Sequence, residues 1–244
     1  MKDIITKLNR AAELYYNYGT SPLTDKEYDT LLQQLKEEEK RTGIIYSNSP
    51  TQKVGAPILN EQKKIDIIDR PMLSLEKVYS QTEIDNFING QDVVRMVKCD
   101  GLSVRIVYEN GNLFSANTRG NGFVGQDITE HIKHFKNVPL TISYSKRFVI
   151  DGEAVILDSD FKQLEGFSNS RNTAAGTLNL LDMKEVKKRK LSFIAWDVID
   201  GKNGLDYLTQ VLSFADKLGF QICPHSLTAT NEEIREEAIR QGIP

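Results

Sequence analysis

Cysteine is almost missing from this chain. Cys99 and Cys223 are the only two in 244 residues. They make no C-x-x-C pair and no disulfide framework, and four thiolates for a structural zinc are out of reach. The usage points to a reducing cytosol. Long apolar runs are missing as well: none approaches the ~20 residues of a membrane span. The N-terminal MKDIITKLNR is charged and periodic, with no signal-peptide core. Nor is there an excess of positive charge. Lys plus Arg number 31 and Asp plus Glu 34, a net −3, so no global basic field advertises nucleic acid, and any DNA contact is local or supplied from outside the chain. No internal repeat or low-complexity tract stands out. What remains is ordinary for a globular protein, 39% hydrophobic and 27% charged. The length suits one large domain, or one medium domain with a small appendage.

The first forty residues read as two helices. Ile4, Ile5, Leu8, Ala11, Ala12 and Tyr15 recur at helical spacing. Gly19 stops that helix and Ser21-Pro22 marks a turn. Thr24 and Glu27 form a capping box, and Tyr28, Leu31, Leu32 and Leu35 give the second helix its apolar face. The polar segment Ser47 to Pro57 reads as a linker. From about residue 70 the pattern changes. Ser80 and Glu83 form a second capping box before a short helix. Val93 to Lys98, Ser103 to Tyr108, Phe148 to Leu157 and Leu191 to Val198 read as strands. Asn110-Gly111 is a strong hairpin signal. Helices are expected at Asp127 to Phe135, Ala174 to Leu181, Leu205 to Leu218 and Glu232 to Gln241. The fold class that follows is α+β with mostly antiparallel sheet.

Five segments carry residues capable of chemistry, each with a plainer reading beside it. In VKCDGLS, Lys98 ends an apolar run and Asp100 follows two residues later. A lysine of ordinary pKa, about 10.4, is protonated and does not attack; burial or a neighbouring cation frees its lone pair. Val93, Val94, Met96 and Val97 favour partial burial. The plainer reading is a strand-end lysine in solvent. In TRGNGFVGQDIT, Arg119 precedes Gly120, Gly122 and Gly125, a backbone that admits a close ligand beside a phosphate clamp, or simply a loop before a helix capped by Asp127. In IDGEAVI, Glu153 lies in a β-branched strand and either faces solvent or is buried with a partner, a hydroxyl or a metal. In SNSRNTAAGTLNLLD, Arg171 and Asn172 stand before a small-residue helix start suited to phosphate, or to nothing more than capping. In the first hairpin, Tyr15, Tyr16, Asp25, Tyr28 and Asp29 gather where the two helices meet. Aromatics with carboxylates suit a flat cationic ring, while a core tyrosine and helix-start aspartates explain the same residues. His131 and His134, with no third ligand, read as a solvated face, and the basic run Lys184 to Lys190 as a solvated turn.

In this order, the segments resemble NAD-dependent DNA ligases of the bacterial type over nearly the whole chain. YYNYGTSPLTDKEYD resembles that family's NMN-binding hairpin, domain Ia. NSPTQKVGAP and RPMLSLEKVY resemble the connector and the start of its nucleotidyltransferase domain. VKCDG is similar to its K-x-D-G nucleophile motif, and TRGNGFVGQDIT, DGE and NSRNTAAGTLNLLD to its later blocks. ATP-dependent ligases and capping enzymes share K-x-D-G, but the NMN-type hairpin argues against them. The resemblance implies a helical domain over residues 1–60. It implies a nucleotidyltransferase domain over 61–244, an ATP-grasp-like, ligase-type adenylation fold with antiparallel sheet. Lys98 would attack NAD, release NMN and carry AMP as a lysyl phosphoramidate, with Asp100 beside it in the catalytic motif. Tyr15, Tyr16, Asp25, Tyr28 and Asp29 would hold NMN. Ser74, Leu75, Arg119, Glu153 and Arg171 would surround the adenylate. Mg2+ would offset phosphate charge; its protein ligands are not indicated. The implied end use is the sealing of nicked double-stranded DNA in replication and repair, in a bacterial cytoplasm or a phage-infected host.

This sequence departs from the family pattern at Met96, Asn121 and Gln126, where acids are usual, and at Asn179, where an arginine is usual. It also stops before the family's D-G-V-V-I-K and K-F blocks, its OB domain, zinc finger, helix-hairpin-helix motifs and BRCT domain. The expectation is an adenylation module that works with a missing C-terminal half or a second ligase subunit. The alternatives are a truncated piece of a longer ligase and a non-catalytic NAD/NMN-binding paralogue or partner-interaction subunit. A sheet lacking its last strands is expected to leave an uncovered edge.

Overall fold

The computed structural model describes residues 1–18, 21–52, 64–202 and 204–244, without the side chains of 16–18. Helix α1 (Lys2–Tyr18) and helix α2 (Asp25–Thr42) form the N-terminal hairpin. The Thr24 hydroxyl accepts from the Glu27 amide while the Glu27 carboxylate accepts from the Thr24 amide, so the expected capping box starts α2. Gly43, at φ 69°, ends it in the left-handed conformation. Ile5, Leu8 and Leu35 are the buried centre of the pair, with Tyr28, Leu31 and Leu32 packed around them.

Residues 47–52 are not a free linker. The Ser49 and Thr51 hydroxyls both donate to the buried Glu39 carboxylate, Thr51 at 2.6 Å, and Pro50–Gln52 makes a 3₁₀ turn against the hairpin. Two hydroxyls facing one buried acid fold the polar residues back. The rest of the expected linker, 53–57, lies outside the described residues.

The remainder is α+β. Strands β3 (Leu102–Glu109), β4 (Asn112–Thr118), β6 (Phe148–Val155) and β7 (Ser192–Asp200) form an antiparallel sheet in the order β4-β3-β6-β7. Asn110 and Gly111 turn β3 into β4 with both φ angles positive, 51° and 76°, which is why that dipeptide suits the turn. β1 (Lys64–Asp66) pairs with β5 (Val124–Gln126), and β2 (Arg95–Met96) with β8 (His225–Ser226), as short ribbons. The remaining helices are α3 (Gln81–Ile88), α4 (Thr129–Ile132), α5 (Asp158–Phe161), α6 (Ser170–Leu178), α7 (Met183–Lys188), α8 (Leu208–Lys217) and α9 (Asn231–Arg240). Among the described residues, no helix is long and apolar enough to cross a membrane.

Strand alternation sorts the sheet's two faces. Val104, Ile106, Tyr108, Ile150, Ala154, Phe193 and Ala195 join the main core with Ile132, Leu178 and Val211. Ser103, Arg105, Asp151 and Glu153 take the opposite face, paired across β3 and β6 as Ser103 with Glu153 and Arg105 with Asp151.

Several expectations need correction. The strand expected over 93–98 is confined to Arg95–Met96, and the helix over 127–135 to one turn. α6 begins earlier than expected because the Asn169 side chain accepts from the Asn172 amide, placing Arg171 inside its first turn. His131 is not on a solvated face: it is buried, with Nε2 2.9 Å from the Leu180 carbonyl. The basic run is mostly helix α7, and Lys190 reaches Gln163 rather than solvent alone. The outer strands are also partly covered. Ala195 of β7 exchanges backbone hydrogen bonds with Gln221 and Cys223, at 2.9 and 2.8 Å, while Leu113 and Ala116 of β4 pair with Leu140 and Ile128. The segments on either side of α4 and the one after α8 run alongside the sheet and take up those backbone groups.

Candidate active site

The K-x-D-G segment forms a turn pinned from below. Val97 donates to Pro224 and Asp100 to Pro244, at 3.1 and 2.8 Å. Cys99 points inward to Val155, Ile194, Cys223 and Ile243, so its neighbours Lys98 and Asp100 point outward and are exposed. The expected partial burial of Lys98 is therefore not observed; alternation sends Val97 and Cys99 into the core instead. Gly101 has a separate cause. A Cβ there would lie 2.3 Å from the Ala154 carbonyl and 2.7 Å from Val155, so only glycine lets the turn settle onto β6.

Glu153 does not face solvent. It is buried, accepts from the Ser103 hydroxyl at 3.1 Å, and has its pKa pushed up by burial. The charges of Arg171, Lys98 and Arg119, with the Ser103 hydrogen bond, oppose that rise. Cations from three segments thus act on one buried carboxylate. Arg119 is carried there because its amide bonds the Ser103 carbonyl at 3.0 Å. Arg171 donates to Asp100 at 3.1 Å and lies over the Tyr15 ring, 5.0 Å from its centroid. Burial disfavours the Arg171 charge, but Tyr15, Asp100 and Glu153 outweigh it, and its pKa is raised.

The glycine-rich loop has an internal explanation. At Gly120, φ 52°, a Cβ would meet the Val124 carbonyl at 2.0 Å, and at Gly125 the Thr118 carbonyl at 2.1 Å. These glycines let the loop fold on itself, and they require no ligand. Of the departures from the family pattern, Asn121 accepts from the Phe123 and Val124 amides, Gln126 donates to Leu178, Asn179 donates to Ala175, and Met96 packs beside Cys99. Each is tied into this chain's own structure.

The residues expected to hold NMN are divided. Tyr15 meets Arg171, one of the residues expected around the adenylate. Asp29, on α2, is held through both carboxylate oxygens by Lys77. Asp25 is exposed in the first turn of α2, and Tyr28 packs on the hairpin core. The Tyr16 side chain lies outside the described residues. Ser74 is exposed and Leu75 is 87% exposed, so neither is packed against the Lys98 group.

Three features went unread in the sequence. Ser103 holds Glu153. Arg105 and Asp151, each 1% exposed in its side chain, make a two-pronged ion pair at 2.7 and 2.8 Å, and Arg105 also donates to the Arg70 carbonyl. Lys77 joins the two parts of the chain. The signal for the first two was the one used for Glu153: Ser103, Arg105 and Asp151 are polar residues inside apolar strands, on one alternating face.

Two family models match the chain. One, described as NAD-dependent DNA ligase adenylation domain, matches residues 63–241, and another, described as DNA ligase-like, N-terminal NAD+-binding domain, matches residues 1–55. The chain belongs to the NAD-dependent DNA ligase adenylation-domain family. Its relatives include the DNA ligase of Helicobacter acinonychis (strain Sheeba), 39% identical over 250 residues, covering 94% of this chain and 38% of that protein. The DNA ligase of Helicobacter pylori (strain G27) is 38% identical over 252 residues, covering 95% and 38%. That of Mycoplasmopsis agalactiae is 34% identical, covering 97% and 38%. The ligase-family chain thus spans 38% of the length of these relatives. Within the adenylation-domain match lie the K-x-D-G turn, Glu153 and both arginines.

Proposed function

We propose that this chain performs the adenylation step of an NAD-dependent DNA ligase. The observation that carries the reading is the K-x-D-G turn seated on β6, with Arg171 hydrogen-bonded to Asp100 and the buried Glu153 held by Ser103. In the proposed step Lys98 Nζ, having given up a proton, attacks the adenylyl phosphorus of NAD+. An N–P bond forms, the pyrophosphate P–O bond breaks, and the electron pair leaves on the phosphate of NMN. Arg119 and Arg171 hold the phosphates during attack. Asp100 keeps Arg171 in place through their hydrogen bond. Glu153 balances the surrounding cations and, with Ser103, receives adenylate hydroxyls. Tyr15, Tyr16, Asp25, Tyr28 and Asp29 recognise the NMN half, and Ser74 and Leu75 close over adenine.

Mg2+ fits this site as a phosphate-held ion, since such ions take one or two carboxylates, substrate phosphates and water. Asp100 and Glu153 are the acids beside the phosphate-binding cations. Among the described residues, no group of three metal-ligating side chains stands together. When bound, the ion offsets phosphate charge.

AMP then passes from Lys98 to the 5′-phosphate of nicked DNA, in a cytoplasmic setting. A second ligase polypeptide is the proposed partner for that transfer. Intact-mass measurement after incubation with NAD+ and Mg2+ tests the first step, with Lys98→Ala as control. The expected result is an AMP adduct on wild type and none on the variant. NAD+ binding without an adduct, even with a candidate second chain present, would favour the non-catalytic alternative.

A further inference from the structure

Two of the residues assigned to NMN are already in contact with this chain's own cations. The Arg171 guanidinium lies over the Tyr15 ring, and the Lys77 ammonium holds the Asp29 carboxylate. A nicotinamide ring in NAD+ is flat, aromatic and positively charged. The contacts it would make with this hairpin are stacking on a tyrosine face and pairing with a carboxylate. Arg171 and Lys77 reproduce both, and both come from beyond the hairpin.

We propose that Lys77 is an internal competitor for the nicotinamide cation. It holds Asp29 until NAD+ or NMN takes its place, and so regulates access to the hairpin's ligand site. This inference rests on the NMN-binding reading of Asp29 and extends it to a residue outside the hairpin. Lys77 follows Leu75 and Glu76 in an exposed stretch. Its side chain is 56% exposed and that of Asp29 32%, so the pair is open to solvent and weak enough to exchange. Arg171 is held more firmly, by Asp100 as well as Tyr15, with its side chain 20% exposed. On ligand entry Lys77 leaves Asp29, and Arg171 leaves the Tyr15 face while keeping Asp100. At Asp29 the exchange is one cation for another, the ring for the Lys77 ammonium.

The test is calorimetric binding of NMN and of nicotinamide riboside, which carries the ring cation without a phosphate. The proteins are wild type, Lys77→Met, Asp29→Asn and the double variant. Lys77→Met removes the ammonium and keeps a side chain of similar length at an exposed position, and circular dichroism of each variant checks that it is folded. Competition predicts that Lys77→Met tightens both ligands by roughly two- to fivefold, the range of an exposed ion pair. Asp29→Asn weakens both, and the double variant matches Asp29→Asn alone. Unchanged affinities in Lys77→Met overturn the proposal. So does weakening for NMN without weakening for the riboside, which would make Lys77 a phosphate ligand. If wild type binds neither ligand while Lys98 still becomes adenylated from NAD+, the NMN assignment of the hairpin fails and the competitor with it. If neither binding nor an adduct is seen, the proposed function fails as well.

Discussion

Glu153 shows how burying one carboxyl sets its charge against stability. Its carboxyl has lost water and gained only one described hydrogen bond, from Ser103, plus the fields of Arg171, Lys98 and Arg119. Burial keeps its pKa above the ordinary 4.5. Folding therefore takes up a proton in the pH range just above that value, and stability falls as pH rises through it. Glu153→Gln removes this dependence while keeping the shape. We expect the variant to be at least as stable as wild type at pH 7, with the difference disappearing at or below pH ~4. Adduct formation on Lys98 should slow on the order of 100-fold or more, as on loss of a preorganised electrostatic group. Denaturant titrations at the two pH values and adduct time courses check both parts. A variant that is less stable at pH 7 but adenylated at the wild-type rate would make Glu153 a packing residue only. Lys98 differs in kind: the amine proposed to meet a phosphate is exposed, and Cys99, buried immediately after it, anchors the backbone of the turn.

At the scale of elements, the turn before β3 and strand β6 act as one unit. Gly101 lies against the Ala154 carbonyl, and Gly152 against the Phe193 ring, where a Cβ would sit 2.4 Å from Cζ. Both glycines answer to a neighbouring strand. Gly101→Ala should cost about 1–3 kcal/mol through overpacking, because backbone and a β-branched side chain block the new methyl. It should also shift Lys98 and Asp100 from the arginines, so adduct formation falls further than the fraction unfolded explains. Chemical denaturation with adduct yield per folded molecule measures it; yield that tracks folding alone would separate the turn from the chemistry. The same unit explains why the glycine-rich loop was legible as a loop but not as a structure. Its spacing announces a turn, whereas the reason for Gly125 is the Thr118 carbonyl on the preceding strand, a contact that local pattern does not contain.

Over the whole molecule, burial is uneven. The strand pairs β3–β6 and β6–β7 lie over the main core, and every residue of β6 is buried. Helix α3 has its capping box at Ser80 and Glu83 but contributes no buried residue, and Phe87 on it is 78% exposed. A cap starts a helix, but an eight-residue helix with no packed face has little else to hold it. Amide hydrogen exchange should be slowest in β6 and β3 and fastest in α3, with the hairpin α1–α2 between them. Protection of α3 equal to that of β6 would mean that this helix is covered in solution. The domain division expected at residues 60 and 61 falls among residues outside the described ones. The hairpin nevertheless touches the rest of the chain through Tyr15 with Arg171 and Asp29 with Lys77.

By itself the sequence determined what depends on near neighbours. The capping boxes at Thr24 and Ser80, the Asn110-Gly111 turn, the alternation of β3 and β6 and the hairpin's apolar face follow from relations a few residues apart, where sterics and periodicity act directly. The K-x-D-G segment and its companion blocks were legible for the same reason, as short ordered patterns. Tertiary structure alone decided which side chains meet. Asp29 and Lys77 are 48 residues apart, Asp100 and Arg171 71, Arg105 and Asp151 46, and Cys99 and Cys223 124. Whether a carboxylate such as Glu153 faces water or three cations depends on strand register and on what covers that face of the sheet. Those are set by the packing of the whole chain, because burial is a property of the assembled surface and not of any one segment.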